Sequence, residues 1–247
     1  MSDACGYDPD WWKAAKATSI ERKRRAASSR KLAKLGDTFL VVTEGVVTEP
    51  VYFEFLLTDL QLYAVHVVVM PGRASDPRHV IETAADEVKD HARRRRKGEL
   101  AVDEPQRFDH VWAVIDTDVA VRNGIWNDVK QLAVAKKVKL AHSTPCFEYW
   151  LLLHLKDTTR GDLVDGDSAK HAVKEALGRD YSTNERVARE AMPLFMQLWT
   201  KAVQHAKRVR EHHVAAATPE PANPSTEVDP LIRALNDSAP DHSRKPL

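Results

Sequence analysis

The chain predicts an α/β protein: a mostly parallel sheet of about four strands, helices on both faces, and a helical C-terminal part. Two observations carry this. Four apolar runs, "TFLVV" (38–42), "VHVVVM" (65–70), "HVWAVID" (110–116) and "KVKLAHS" (137–143), are rich in Val and Ile without alternation, as in strands covered on both sides. Helical segments separate them, and strand alternating with helix gives parallel neighbours joined by crossovers.

The elements follow in order. Residues 1–36 are polar and basic around "ERKRRAASSRKLAK" and read as an N-terminal arm, either solvated or contacting phosphates. The core spans 37–156. After the first strand, "EPVYFEFLLTDLQL" (49–62) reads as a helix with Pro50 in its first turn and Thr48 as N-cap. "DPRHVIETAADEVKDHARRRR" (76–96) has Asp76 as N-cap and places Val80, Ala84 and Val88 on one face. "IWNDVKQLAVAKK" (125–137) is the third helix, and "CFEYWLLLHL" (146–155) is apolar enough for a core helix. Residues 157–215 form a helical extension with a loop at 157–167, then helices over 168–178 and 184–213, the second restarted by Pro193. From 216 to 247 the composition turns extended, "TPEPANPSTEVDP", with "LIRALNDSA" as a short last helix.

Composition narrows the class. Lys and Arg number 37 against 36 Asp and Glu, so net charge names no partner. Cys5 and Cys146 fit neither a disulfide framework nor a zinc spacing. No window approaches the ~18 apolar residues of a membrane-crossing helix, and a soluble cytoplasmic protein is expected.

The carboxylates are the candidate chemistry. In an open parallel sheet, ligands sit beyond the carboxyl ends of the strands. Glu44 follows the first strand there, Asp116 ends the third and Asp118 lies two residues on, where the two-residue period sends both side chains the same way. Carboxylates brought together repel unless a cation neutralises them, and Mg²⁺ (with Mn²⁺ as substitute) suits an all-oxygen set. Mg²⁺ with open positions points to phosphoryl or phosphodiester chemistry. Gly45 permits a sharp turn or a close approach. Glu49 is either a further member of the metal site or a first-turn residue complementing the helix dipole, the second being the commoner role. Glu148, in the first turn of the 146–155 helix, is either a capping group or a further ligand. His154 shares a face with Phe147, Trp150 and Leu151; it is either a core residue or a proton shuttle, with His142 a weaker candidate. Arg73 and Arg78, beyond the second strand, are expected to meet substrate phosphates, and Arg93, Arg94, Arg95 and Arg96 either extend the nucleic-acid-binding set or form a solvated helix end that complements the dipole.

"VVTEGVVTEPVYFEFL", "FDHVWAVIDTDVAV", "STPCFEYWLLLHL" and "NPSTEVDPLIRAL" together resemble the motifs of the RloB-like family. The resemblance covers roughly 36–236. It implies a TOPRIM-like domain in which Glu44, Asp116 and Asp118 hold Mg²⁺ for breaking phosphodiester bonds. It also implies a place in antiviral restriction loci, often beside a partner ATPase. The family's Asn-Pro-Cys-Phe-Glu is departed from at Ser143-Thr144, whereas Glu148 and His154 match. No tyrosine has a context that marks it for strand rejoining, so hydrolysis of DNA or RNA, tRNA included, is expected. Two alternatives stand beside this. One is a phosphatase of the haloacid dehalogenase type with Asp116 as nucleophile, although two strands precede the motif. The other is a non-catalytic subunit binding nucleic acid or an ATPase.

Overall fold

The computed structural model describes residues 37–62, 66–69, 76–101 and 104–247. The basic arm, Cys5 and Arg73 lie outside the described residues. Four parallel strands form the sheet's body: β1 (Phe39–Thr43), β2 (His66–Val69), β3 (His110–Asp116) and β4 (Lys139–Thr144). A fifth, β5 (Ser225–Thr226), pairs antiparallel with β4, giving the order β2-β1-β3-β4-β5. The expected linker around Ser225 is therefore partly sheet. Two residues are too short a run to show any period.

Side-chain alternation splits the core into two layers. Phe39, Val41, Trp112 and Val114 face one side, and Leu40, Val42, Ala113 and Ile115 face the other. The second side is covered by α2 (Pro77–Lys97) and α4 (Trp126–Lys136) through Val80, Ile81, Ala84 and Val129. The first side carries α1 (Thr48–Asp59), α5 (Phe147–Leu155) and the two helices of the extension, α6 (Gly166–Leu177) and α7 (Glu185–Ala215). A five-residue helix, α3 (Asp118–Arg122), links β3 to α4, and α8 (Asp229–Asp237) closes the chain on the first side.

Local chemistry sets the boundaries. Asp76 accepts from the Arg78 amide as N-cap, Pro77 opens α2, and Gly98 ends it in the left-handed region at φ 70°. Asp165 and Ser168 form a capping box at α6. Pro193 does not restart a helix; it lies inside α7, which is continuous from Glu185 to Ala215. Tertiary packing keeps that stretch helical through the missing amide: Ala191, Met192 and Phe195 are buried. The extension is tied to α1 by Arg189, whose guanidinium grips both oxygens of Glu54, and by Trp199, whose indole donates to Asp59.

The last segment is fastened by one buried charge. Asp229, fully enclosed, is forked by Arg210 of α7, which also donates to the Thr226 carbonyl. Removing Arg210 leaves the buried carboxylate only the looser contact with Arg233, at 3.7 Å. Arg210→Met is expected to lower unfolding free energy by about 2–4 kcal/mol, read as a drop in the urea midpoint.

Candidate functional site

The strand order reverses between β1 and β3: from β1 the chain moves outward to β2, and from β3 outward to β4. A crevice opens at such a point beyond the carboxyl ends of the two strands. Glu44 and Asp116 stand on its two lips. The Asp116 amide donates to Glu44 Oε2 at 3.2 Å, and the Glu44 amide donates to the Val114 carbonyl at 3.0 Å. The strand period puts Asp116 on the same side as Trp112 and Val114, the side of α5. Its Oδ1 there accepts the Phe147 amide at 2.9 Å. The first turn of α5 has no side-chain cap of its own, so Asp116 serves from another element.

Glu148, one residue further on, is buried, as is Glu49 in the first turn of α1. Glu49 does not point outward to complement a dipole. Its carboxylate turns back to accept the Gly45 amide at 3.0 Å. A Cβ on residue 45 would collide with both Glu49 oxygens, which is why glycine stands there. Thr48 is not the N-cap either: the cap position is Val47, and the buried Thr48 hydroxyl turns to Tyr181.

The electrostatics follow from this crowding. Burial raises Glu44 to about 7, with Asp118 and Asp76 adding repulsion. Burial, Glu148 and Glu44 raise Glu49 to about 7. Burial raises Asp116 well above the carboxylate range, and the four side chains acting on it most are all carboxylates: Glu49, Glu44, Glu148 and Asp118. Asp118 is the outlying member. It opens α3 instead of continuing the strand, caps Val119 with Oδ1 and meets Arg122 through Oδ2.

The expected partners divide. Arg78 sits at the first turn of α2, at the same rim, exposed and forked onto Asp76. Arg93, Arg94, Arg95 and Arg96 do not reach the site. α2 runs antiparallel to the strands, and 21 residues at ~1.5 Å each carry its far end about 30 Å away. There Arg93 pairs with Asp90, Arg94 with Glu104, and Arg95 donates to the Gln106 carbonyl. His154 is a core residue and not part of the rim. It is 1% exposed among Tyr52, Trp150 and Phe195, donates Nδ1–H to the Trp150 carbonyl and accepts the Tyr52 hydroxyl at Nε2. Burial lowers it to about 3, so the ring stays neutral. His142 is likewise lowered, to about 4, and packs on Trp126.

One neighbour has no mark in the sequence. Tyr181, on the connection between α6 and α7, is buried, with the Thr48 hydroxyl beside its own. Glu148, Glu49, Thr48 and Cys146 surround it.

As they stand, Glu44, Glu49 and Asp116 each give one oxygen to a backbone amide, and among the described residues no three His, Cys, Asp or Glu side chains are arranged to hold a metal ion. The donor set still fits a hard divalent cation. It is all oxygen, and it is in excess of nearby positive charge.

Two outcomes follow. Gly45→Ala is expected to displace the Glu49 carboxylate with little change in the thermal midpoint but weaker Mn²⁺ binding by calorimetry. Glu44 and Glu49 have folded values near 7 against an ordinary 4.5, so the folded state holds more protons between those values. Their contribution to stability is complete below about 4.5 and is lost as pH rises through about 7. In chelator, the thermal midpoint should fall from pH 5 to 7.5. Mn²⁺ should raise it more at pH 7.5, where the carboxylates are ionised.

A model of the RloB-like protein family matches residues 39–235, from the first strand into the last helix. No curated protein and no solved structure matches the chain. With all four resembling motifs inside the matched span, the chain belongs to the RloB-like family.

Proposed function

We propose that this protein is a Mg²⁺-dependent nuclease of TOPRIM type, cleaving phosphodiester bonds of DNA or RNA in antiviral defence beside a partner ATPase. One observation carries the reading: Glu44, Glu49, Asp116 and Glu148 crowd the sheet's reversal point with a charge that their surroundings leave uncompensated. Such a cluster is unfavourable in the free protein, and binding sites tolerate that kind of strain where a cation relieves it.

Glu44, Asp116, Asp118 and Glu148 would hold the ion, with Glu49 joining them; Mn²⁺ would substitute. When bound, the ion supplies charge neutralisation at the phosphate, activation of water and stabilisation of the leaving oxygen. The chain's own contributions are distinct. The Phe147 and Asp116 amides fix the carboxylates of Asp116 and Glu44 across the crevice. Glu44, raised to about 7, is suited to exchange a proton near neutral pH. Arg78 offers a cation at the rim for a flanking phosphate. His154 is given no part.

The test is to express wild type and Asp116→Asn in cells, with and without the partner ATPase, and sequence the nucleic-acid ends produced. Wild type should cause toxicity or new ends, and the variant neither. Equal damage by both would refute a catalytic role. A phosphoryl-aspartate trapped at Asp116 would assign a phosphatase instead, and protection that survives Asp116→Asn would assign a binding subunit.

A further inference from the structure

Both oxygens of Asp118 are already engaged. Oδ1 accepts the Val119 amide at 2.7 Å, and Oδ2 accepts from Arg122 Nη2 at 3.2 Å, one turn along α3. The second bond is the weaker tie. The Arg122 side chain is 70% exposed, and an exposed pair at this spacing adds little to a helix. Arg122 has company at the rim. Asp76, which carries Arg78, bears on Glu44 as Asp118 does. Arg78 also feels Asp128, in the first turn of α4, the helix that α3 leads into. Both guanidinium groups therefore stand beside the carboxylates, on the side of α2 and α4.

We propose that Arg122 is an exchanging phosphate-binding residue: it leaves Asp118 when that carboxylate takes up a divalent cation, and turns to a neighbouring phosphate of the nucleic acid. This rests on the nuclease reading above. Two cations on one carboxylate oxygen repel each other, and the guanidinium, held by one exposed bond, is the one that gives way. The Val119 amide carries no net charge and lies within α3, so it need not move. Once released, Arg122 keeps its reach at the rim through its long stem, and a phosphate returns the charged partner it has lost. Arg78 is the fixed member of the pair. Its Nε and Nη2 fork onto Asp76, which also caps α2. Without a cation, nucleic acid meets bare carboxylates and an arginine still held down on α3. Loading the cation changes both at once, so cation and nucleic acid bind in that order.

The experiment uses the full chain as wild type and Arg122→Gln, an exposed change that should leave the melting temperature in place. Binding of a labelled mixed-sequence 20-mer, as DNA and as RNA, is followed by anisotropy over a salt series, in Ca²⁺ and again in chelator. Mn²⁺ binding is followed by the loss of free-ion paramagnetic signal. In Ca²⁺ the variant should bind the oligonucleotide about 10-fold more weakly, with a log–log salt slope shallower by about 0.7 to 1. In chelator the two proteins should bind alike. Mn²⁺ should bind the variant as tightly as wild type or up to about threefold more tightly, because Arg122 no longer competes. Unchanged oligonucleotide binding in Ca²⁺ overturns the proposal and leaves the nuclease reading standing. So does an equal loss in chelator, which marks an arginine that Asp118 never restrained. Weaker Mn²⁺ binding, or a lower melting temperature with the salt slope intact, overturns it as well, since each marks a support for the carboxylate or for α3. Wild type that takes up neither Mn²⁺ nor oligonucleotide overturns both readings.

Discussion

Three backbone amides hold the rim together. Gly45 N–H fixes Glu49, Asp116 N–H fixes Glu44, and Phe147 N–H fixes Asp116. These bonds tie β1, α1, β3 and α5 to one another through their most mutually repulsive side chains. Where these carboxylates are ionised the bonds are charge-assisted and among the stronger hydrogen bonds, and the positive ends of α1 and α5 add to them. Without them, like charges brought this close would part. The sheet's reversal point is where such amides face outward, so fold and acidic cluster have one origin.

The sequence revealed what a local period or a strand end encodes. Glu44 and Asp116 were legible because apolar runs stop at them, and the Asp76–Pro77 start of α2 because caps are local. Glu49 was ranked low because the dipole rule looks only along its own helix, whereas its carboxylate bends back over a glycine. Thr48 failed as a cap for the same reason. Asp118 was given the strand's two-residue period, but the strand ends at Asp116 and a helix begins at Asp118. His154 kept company with Phe147 and Trp150 in the pattern, and that company is simply the core. The arginines of α2 were assigned by charge, with no account of the helix direction that carries them to the opposite end. Tyr181 left no trace, since a residue on a connection has no period and its neighbours lie far away in the chain.

The extension is part of the molecule's interior and not an appendage to it. Phe195 and Trp199 of α7 share one apolar layer with Tyr52 of α1 and Trp150 of α5. His205 donates to the Leu153 carbonyl across the same boundary. The layer on which Glu148 is mounted therefore includes residues well past the sheet.

The short strand β5 sets a timetable. Its Thr226 hydroxyl meets Ser143, and the Glu227 amide closes on the His142 carbonyl, just before the turn that leads into α5. A chain emerging from the ribosome folds from its beginning, so β4 has an open edge until residues 225–227 arrive, some eighty positions later. The acidic rim thus receives its final brace only after α6 and α7 have been synthesised.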